Sequence, residues 1–335
     1  MESKRVTIKD VARYSGVSIA TVSLILNGNE NKFSRKTVEK VLEAKEVLDY
    51  QPNYFAQQMI IKKSKTIGVM MSDITNPFFG QLISGIEKAL YQENFVTILC
   101  NANFDEGKEK YYLEELMRRG VDGFIIATSA ISNETLYEML EKRKRPYINI
   151  DQKRIEGLSD AVLSDDFKGG QLAAQHLLKL GHKDLVIVMP IDAPEHIQNR
   201  LRGFKKACDD QSATSITIID AKMSKDGGRK AVEQIVQTRA TGIFTINDEM
   251  AFGLYRGMED AGKEIPNDYS VIGYDNVEMC EYITPRLTTV AQSIPAIGET
   301  TAKILMERIN NPDKPAEEVI LPVALVERSS TAPLT

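Results

Sequence analysis

The sequence predicts a small all-α helix-turn-helix domain followed by a larger α/β body built on parallel sheets. The first sixty residues contain three short helical patterns separated by glycine and polar residues. From Lys65 onward, short apolar runs alternate with amphipathic segments, which is typical of parallel strands joined by right-handed crossovers. Charge divides at the same place, since residues 1–65 carry a net charge of +5 and the remaining residues −10. The 335 residues suffice for about two domains.

The composition excludes several classes of protein. No apolar run approaches the ~18 residues of a membrane-spanning helix, and no apolar stretch follows the first basic residues as in a signal peptide. The three cysteines, Cys100, Cys208 and Cys280, are too far apart in sequence to indicate a zinc site or a disulfide framework. We therefore expect a cytoplasmic protein that holds no metal and no cofactor.

The first two predicted helices form a helix-turn-helix. Thr7–Asp10 resembles a capping box and begins the first helix. A tight turn at Gly16 leads to Ser18, a good N-cap for a second helix over 19–26. Ser34 begins a third helix, whose apolar residues follow at helical spacing: Val38, Val41, Leu42 and Leu48. Three short helices can enclose one small core.

In a helix-turn-helix, residues near the start of the second helix contact base edges in the major groove of DNA. Here those residues are Ile19 and Ala20, with Leu24 one turn later, and the hydroxyls of Thr21 and Ser23 suit phosphate contacts. Apolar side chains can contact thymine methyl groups but cannot bind guanine in a bidentate manner. The alternative is that Ile19 and Leu24 are core residues of a small helical domain.

A short segment separates this domain from the body. Pro52 ends the third helix, and Asn53–Met59 could form about two turns of helix with little to pack against. A helix this short is marginal alone, so it could form when paired with a symmetry mate in a minor groove, with Met59 as the wedge. The alternative is an unstructured linker.

Five ordered stretches carry a family resemblance: Thr7-Ile8-Lys9-Asp10-Val11-Ala12, Gly16-Val17-Ser18, Ala20-Thr21-Val22-Ser23, Asn27-Gly28 and Tyr50-x-Pro52-Asn53-x-x-Ala56. Together they resemble the lactose-repressor/galactose-repressor family of bacterial transcription regulators. The resemblance implies that twelve residues contact operator DNA: Thr7, Ser18, Ile19, Ala20, Thr21, Ser23, Leu24, Asn27, Tyr50, Asn53, Ala56 and Met59. Members often have a polar or basic residue where Leu24 stands, so the operator sequence could differ from the usual one. They commonly have Leu where Met59 stands, which is a conservative change of similar volume.

In the body, polar side chains collect at the ends of predicted strands, which is where ligands bind in parallel α/β sheets. Carboxylates, amides and one arginine beside two phenylalanines suit a sugar, whose hydroxyls need donors and acceptors and whose C–H face packs on aromatic rings. These strand ends are followed by Asp73–Phe79, Asp151, Arg200, Asn247-Asp248, Asp275 and Gln292. Taken singly, each could instead be a helix N-cap, especially Asn76 and Asp248. The predicted helices of the body lie between Phe79 and Ala261.

The resemblance covers the body as well. The stretches Asn76-Pro77-Phe78-Phe79, Asn247-Asp248-Glu249-Met250-Ala251, Gly273-Tyr274-Asp275 and Leu287-Thr288-Thr289 are similar to ribose-binding proteins and ribose repressors. This implies a periplasmic-binding-protein-like core of two Rossmann-like subdomains. By the same resemblance, eight residues would line a sugar site: Asn76, Phe78, Phe79, Asp151, Arg200, Asn247, Asp275 and Gln292. Ribose-type members usually have Asp-Arg where this chain has Asp151-Gln152. The effector could therefore be another sugar, or Lys153 or Arg154 could compensate.

The main alternative class is an enzyme or a sugar-binding transport protein on the same fold. No phosphate-binding, dinucleotide, nucleophile-elbow or metalloprotease motif occurs. Adjacent carboxylates such as Asp165 and Asp166 diverge, so we expect a solvated turn or an N-cap rather than a catalytic pair. A transport protein would need a signal peptide and no basic domain. A third possibility is a regulator that senses a phosphoprotein.

We expect a helix-turn-helix domain at 1–50, a hinge helix and linker at 51–64, and a core at 65–335. Within the core, one subdomain covers about 65–162 and 292–322, and the other about 163–291. The chain is expected to form a homodimer on a palindromic operator and to repress a carbohydrate operon, with ribose as the first candidate effector. Sugar binding would displace the hinge and release the operator, although a corepressor is equally allowed.

Overall fold

The computed structural model describes residues 6–51, 64–128, 130–151, 159–210 and 215–334. The chain divides into two compact units, Met1–Ser64 and Lys65–Thr335. In the described part of the chain, no helix is both long and apolar enough to cross a membrane.

The first unit contains helices α1 (Ile8–Ser15), α2 (Ile19–Leu26) and α3 (Arg35–Val47), with a 3-10 turn at Glu30–Lys32. The residues predicted to cap the three helices make side-chain hydrogen bonds at the start of each helix. The Asp10 carboxylate accepts from the backbone N–H and the hydroxyl of Thr7 at 3.0 and 2.7 Å. Ser18 accepts from the backbone N–H of Thr21 and starts α2, and Ser34 starts α3 in the same way. The helix-turn-helix prediction is confirmed.

One small apolar core holds these helices together, formed by Val11, Ala12, Val22, Ile25, Val41, Ala44 and Tyr50. Ile19 and Leu24 are 45% and 40% exposed, so the reading of these two residues as core is wrong. Leu42 is also exposed, although it is predicted on the apolar face of α3. Successive residues lie about 100° apart on a helix, so a buried Val41 turns Leu42 toward solvent.

The second unit contains two six-stranded sheets and the helices that cover them. The strands are β1 Thr66–Met71, β2 Val96–Asn101, β3 Gly123–Ala127, β4 Tyr147–Ile150, β5 Asp160–Ser164, β6 Asp184–Met189, β7 Ser215–Asp220, β8 Gly242–Thr245, β9 Ser270–Asp275, β10 Thr288–Gln292, β11 Glu318–Leu321 and β12 Val323–Val326. The helices are α4 Pro77–Gln92, α5 Glu106–Arg118, α6 Asn133–Leu136, α7 Asp166–Lys179, α8 Glu195–Asp209, α9 Lys225–Ile235, α10 Asp248–Asp260 and α11 Ile294–Asn310.

The first sheet has the strand order β11-β5-β4-β3-β1-β2, and the second has the order β12-β10-β9-β8-β6-β7. All strand pairs are parallel except β10 with β12, which is antiparallel. Central strands such as β1 and β9 are buried along their whole length, because helices cover both faces of a parallel sheet. The predicted α/β core of two Rossmann-like subdomains is confirmed.

The chain passes between the two sheets three times: from β5 to α7, from β10 to α11, and from β11 to β12. Helix α11 therefore packs on the first sheet although it follows a strand of the second. Strand ends from both sheets thereby line one cavity. This arrangement decides which strand ends face each other.

The sequence patterns do not predict α11, β11 or β12. Helix α11 packs so closely on α4 that a Cβ atom on Gly298 would lie 2.3 Å from the Leu82 carbonyl oxygen. The contact is equally close from the α4 side, because a Cβ atom on Gly85 of α4 would lie 2.2 Å from the carbonyl oxygen of Pro295 in α11. Glycine has low helix propensity, so the residue that permits this packing weakens the local helix signal. Helix α8 likewise begins at Glu195, earlier than the Arg200 expected from sequence.

Candidate functional site

One cavity lies in the second unit at the carboxyl ends of strands from both sheets. All eight residues predicted from the sequence line it: Asn76, Phe78, Phe79, Asp151, Arg200, Asn247, Asp275 and Gln292. The parallel topology explains their convergence, because the loops that follow parallel strands meet at one edge of each sheet. The structure thus brings the predicted residues together, and their contact with an effector stays a prediction.

Two asparagines combine capping with cavity lining. The Asn76 side chain accepts from the backbone N–H of Phe78 at 2.9 Å, and Asn247 accepts from that of Met250 at 2.9 Å. The N-cap alternative is correct for Asn76, which also lines the cavity. It is wrong for Asp248, which is buried inside α10 one residue after the cap. An N-cap uses the side-chain oxygen, so each amide nitrogen remains a donor for a ligand.

Arg200 is the buried cation at the centre of the cavity wall. Its Nε donates to Asp166 Oδ1 at 2.8 Å, and its Nη1 donates to the Ile246 carbonyl at 2.5 Å. The guanidinium lies 3.6 Å from the ring centroid of Tyr274, whose hydroxyl donates to the same Asp166 oxygen at 3.1 Å. Among the residues that the structure describes, none pairs with Nη2. A fixed guanidinium with one unpaired nitrogen is suited to donate to a polar ligand.

Asp275 is held next to Arg200 by a chain of hydrogen bonds. Gln292 Nε2 donates to Asp275 Oδ1 at 2.7 Å, and the Ser164 hydroxyl donates to Gln292 Oε1. The nearer Arg200 nitrogen lies 3.8 Å from Asp275 Oδ1. Burial raises the pKa of Asp275 well above its usual range, against the opposing effect of Arg200. Ser164 ends β5 and Gln292 ends β10. These hydrogen bonds therefore link the starts of two of the three segments that pass between the sheets.

Asp151 has one carboxylate oxygen that can still accept a hydrogen bond. Its Oδ1 is buried and has no partner among the described residues. Burial and the nearby Asp166 raise the pKa of Asp151 to about 7, and Arg200 partly offsets this increase. Asp151 and Asp275 also have positive φ angles of 56° and 115°. Non-glycine residues rarely adopt such φ values, and strained backbone of this kind clusters at functional sites.

Sequence reasoning missed Asp166. Asp165 does cap α7, because its side chain accepts from the Lys168 backbone N–H at 3.0 Å. The expectation of a solvated turn is wrong for Asp166, which is 4% exposed and pairs with Arg200. The partner lies thirty-four positions away in sequence, so no local signal could indicate the pair.

His196 is a second missed residue, positioned one helical turn before Arg200 on α8. It lines the cavity, and its Nδ1 is buried with no partner among the described residues. Burial and Arg200 lower the pKa of His196 to about 3, and the imidazole donates to the backbone carbonyl of Asp151. The residue is therefore neutral. Its four-residue spacing from Arg200 was the available signal, but the predicted helix began too late to include it.

The cavity has further lining residues that the sequence analysis did not select. They are Ser72, Asp73, Phe104, Ala127, Thr128, Ile150, Pro194, Ile197 and Met223. Gln152, Lys153 and Arg154, which bear on the choice of sugar, lie outside the described residues. The same holds for Asn53, Ala56 and Met59 of the predicted hinge.

The candidate DNA surface lies on the first unit. Ser18, Ile19, Ala20 and Leu24 are exposed along α2, whereas Thr21 and Ser23 are half-buried. Asn27 ends this helix, and its amide lies 3.4 Å from the Ser23 hydroxyl. Thr7 is exposed at the start of α1. Tyr50 differs from the others because it is only 8% exposed and packs in the core.

Two family models match the chain. The model "Bacterial regulatory proteins, lacI family" matches residues 7–53, and the model "Periplasmic binding protein-like domain" matches residues 174–331. The HTH-type transcriptional repressor PurR of Vibrio vulnificus is 35% identical over 91% of this chain and 92% of its own length. The chain belongs to the lacI family of bacterial regulatory proteins. The HTH-type transcriptional regulator DegA of Bacillus subtilis is 33% identical over 98% of this chain and 99% of its own length.

Solved structures of lacI-family regulators match the same fold. Regulators from Enterococcus faecium and Enterococcus faecalis, each with bound ribose, are 54% and 56% identical. Each covers 81% of this chain and is matched over 100% of its own, with TM-scores of 0.77 and 0.76. The Lac repressor dimer bound to operator and an anti-inducer is 27% identical, with a TM-score of 0.87 over 98% of this chain and all of its own. The protein is a DNA-binding transcriptional regulator rather than an enzyme, as predicted.

Proposed function

We propose that this regulator represses a ribose-utilisation operon and that ribose, bound in the cavity, releases it from its operator. The observation that carries the proposal is the convergence of the eight predicted residues on one cavity. The two Enterococcus regulators with bound ribose, at 54% and 56% identity, support ribose as the effector.

The chemistry of the cavity favours a neutral polyol. Arg200 Nη2 is available to donate, and Asp151 Oδ1 is available to accept. Phe78 and Phe79 are edge-to-face, with ring centroids 5.2 Å apart, and offer an apolar surface to the C–H face of a sugar. The single guanidinium of Arg200 already pairs with Asp166 and lies beside Asp275, which leaves no uncompensated positive charge there for a phosphorylated ligand.

Regulation follows from the position of the cavity between the two sheets. A sugar that contacts both subdomains favours the closed form of the core, and closure displaces the segment that leads to the DNA-binding domain. In this scheme residues 1–50 bind DNA, 51–64 form the hinge, and 65–335 bind effector and dimerise in the cytoplasm. A homodimer matches a palindromic operator. By linkage, operator DNA weakens ribose affinity by the same factor.

The test combines two titrations of the full-length protein. Calorimetry against a panel of pentoses and hexoses should give the tightest binding for ribose. Fluorescence anisotropy with labelled operator should show weaker binding when ribose is present. Tighter operator binding with ribose would instead make the sugar a corepressor, and no change would refute effector control.

Another sugar is the second candidate effector. A regulator from Alkaliphilus metalliredigens, 29% identical over 80% of this chain, holds D-xylulofuranose. This chain also has Gln152 where ribose-type members usually have Arg, and glutamine cannot make the forked, charged contacts of arginine. The same sugar panel separates the two candidates, since a preference for a ketopentose over ribose would favour the second.

A further inference from the structure

The loop between β2 and α5 is anchored at both ends. The Ala102 backbone N–H donates to the Met71 carbonyl at 2.9 Å, which ties the loop to β1. At the other end, the Asp105 side chain accepts from the Lys108 backbone N–H at 3.0 Å and caps α5. The Asp105 N–H also donates to the Ala102 carbonyl at 3.2 Å. Only Asn103 and Phe104 lie between these anchors.

Both residues between the anchors adopt left-handed backbone conformations. Asn103 has φ 56° and Phe104 has φ 58°. Asparagine tolerates this region, but a bulky aromatic residue rarely occupies it. Two such residues in succession persist only where the surrounding structure fixes them. The backbone of this turn therefore sets the direction in which the Phe104 side chain leaves the loop.

Phe104 lines the cavity and is 48% exposed. Phe78 and Phe79 line the same cavity, but Phe78 is buried and Phe79 is half-buried. An aromatic ring left half in water loses the stabilisation of apolar burial. A ligand in the cavity would cover this ring and recover that stabilisation.

We propose that Phe104 is an effector-contacting residue whose ring packs against the apolar face of the bound sugar and shields it from water. The inference rests on the proposed function, because it assigns this role for the same cavity and the same class of ligand. Met223 and Ile197 of the other subdomain also line the cavity and supply apolar surface. Because hydrogen bonds already fix the backbone of this turn, only the side chain of Phe104 has to be ordered when the sugar binds.

The test compares ribose binding by three variants of the full-length protein. Phe104→Ala should weaken ribose binding about five- to tenfold, with the loss appearing mainly as faster dissociation. Phe104→Tyr keeps the aromatic face and should stay within about twofold of the wild type. Tyr111→Ala is the matched control, since Tyr111 is an exposed aromatic residue on α5 that does not line the cavity.

Calorimetry gives the affinities and stopped-flow displacement gives the dissociation rates, with melting temperatures as the check on folding. If a folded Phe104→Ala variant binds ribose with wild-type affinity and rate, the role of Phe104 is refuted while the proposed function stands. If the wild-type protein binds no sugar of the panel, the proposed function fails and this inference fails with it. An equal loss in Tyr111→Ala would also overturn the inference.

Discussion

The two candidate binding surfaces are built on opposite principles. On α2, Ile19 and Leu24 are exposed, and the small core beneath holds the helix without any buried charge. At the cavity, the lining residues Arg200 and Asp275 are buried, and Asp166 behind them pairs with Arg200. A surface that meets a large rigid partner can be fully hydrated beforehand. A site that must recognise a small polyol needs its polar groups fixed and partly desolvated in advance.

This difference predicts independent failures. If α2 contacts the operator, a change on its exposed face should weaken DNA binding and leave the core of the second unit intact. A change in the cavity leaves a neighbouring buried group without its partner, which costs more than the lost contact itself. The substitution and pH experiments below test this contrast, from the largest expected effect on binding to the smallest.

The largest effect is expected for Asp275→Ala. Removing this carboxylate takes away the proposed sugar contact and leaves Gln292 Nε2 without the acceptor it now has. We expect ribose affinity to fall by at least about 100-fold, or about 3 kcal/mol. Calorimetry should show this loss, while operator affinity without sugar stays unchanged. Asp220→Ala is the control, because Asp220 also ends a strand, β7, but does not line the cavity.

A smaller effect is expected for Leu24→Asp. The substitution replaces an exposed side chain, so folding should be preserved, but it sets a negative charge against the DNA phosphates. Operator affinity should fall about 30-fold, or about 2 kcal/mol. Val47→Asp adds the same charge at an exposed position at the end of α3. If both variants lost the same operator affinity, α2 would not be the helix that reads the DNA sequence. Ribose affinity should be the same in the wild type and in both variants.

The pH dependence of ribose binding should follow Asp151. Its pKa of about 7 means that the acceptor carboxylate is mostly protonated at pH 6 and mostly ionised at pH 8. If a sugar hydroxyl donates to Oδ1, ribose affinity should rise about tenfold over this interval. Asp275, whose pKa is also raised, acts in the same direction. Calorimetry of the wild type and of Asp151→Asn should show a smaller pH dependence in the variant.

The same pKa shift has a consequence for the protein without sugar. The folded state binds a proton at Asp151 more tightly than the unfolded state, in which the carboxyl has an ordinary pKa near 4. The contribution of Asp151 to the free energy of unfolding should therefore decrease as the pH rises from about 4 to about 7. Denaturant titrations of Asp151→Asn should lack this contribution.

The smallest effects are expected for two matched capping serines. Ser18 and Ser34 each accept from a backbone N–H three residues later, at 3.1 and 3.3 Å. Each Ser→Ala change should destabilise the first unit by about 1 kcal/mol. Hydrogen exchange of its amides should show similar losses of protection. If the Ser18 hydroxyl contacts a phosphate, Ser18→Ala should weaken operator binding more than Ser34→Ala. Equal weakening by the two variants would mean that both act only by destabilising the first unit.

Local patterns were enough to predict the residues whose role depends on their immediate neighbours. The caps Ser18 and Ser34 and the exposure of Leu24 follow from helical periodicity over one or two turns. The eight cavity residues follow from strand ends together with the family resemblance. Asp166 could not be predicted in this way, because its role depends on Arg200 and Tyr274, which lie on other elements. Phe104 shows no motif, and only its backbone conformation and its position at the cavity distinguish it.

The sequence by itself determined the order of helices and strands in most of the chain, the division of charge between its two parts, and the chemical character of the candidate sites. These properties arise from periodicity, capping and composition, which act over a few residues. The tertiary structure decided which strand ends face one another, which carboxylates are buried beside Arg200, and how closely α11 packs on α4. Those outcomes depend on the three passages of the chain between the sheets and on glycine contacts between helices. Such contacts join residues that are far apart in sequence, so local sequence patterns do not indicate them.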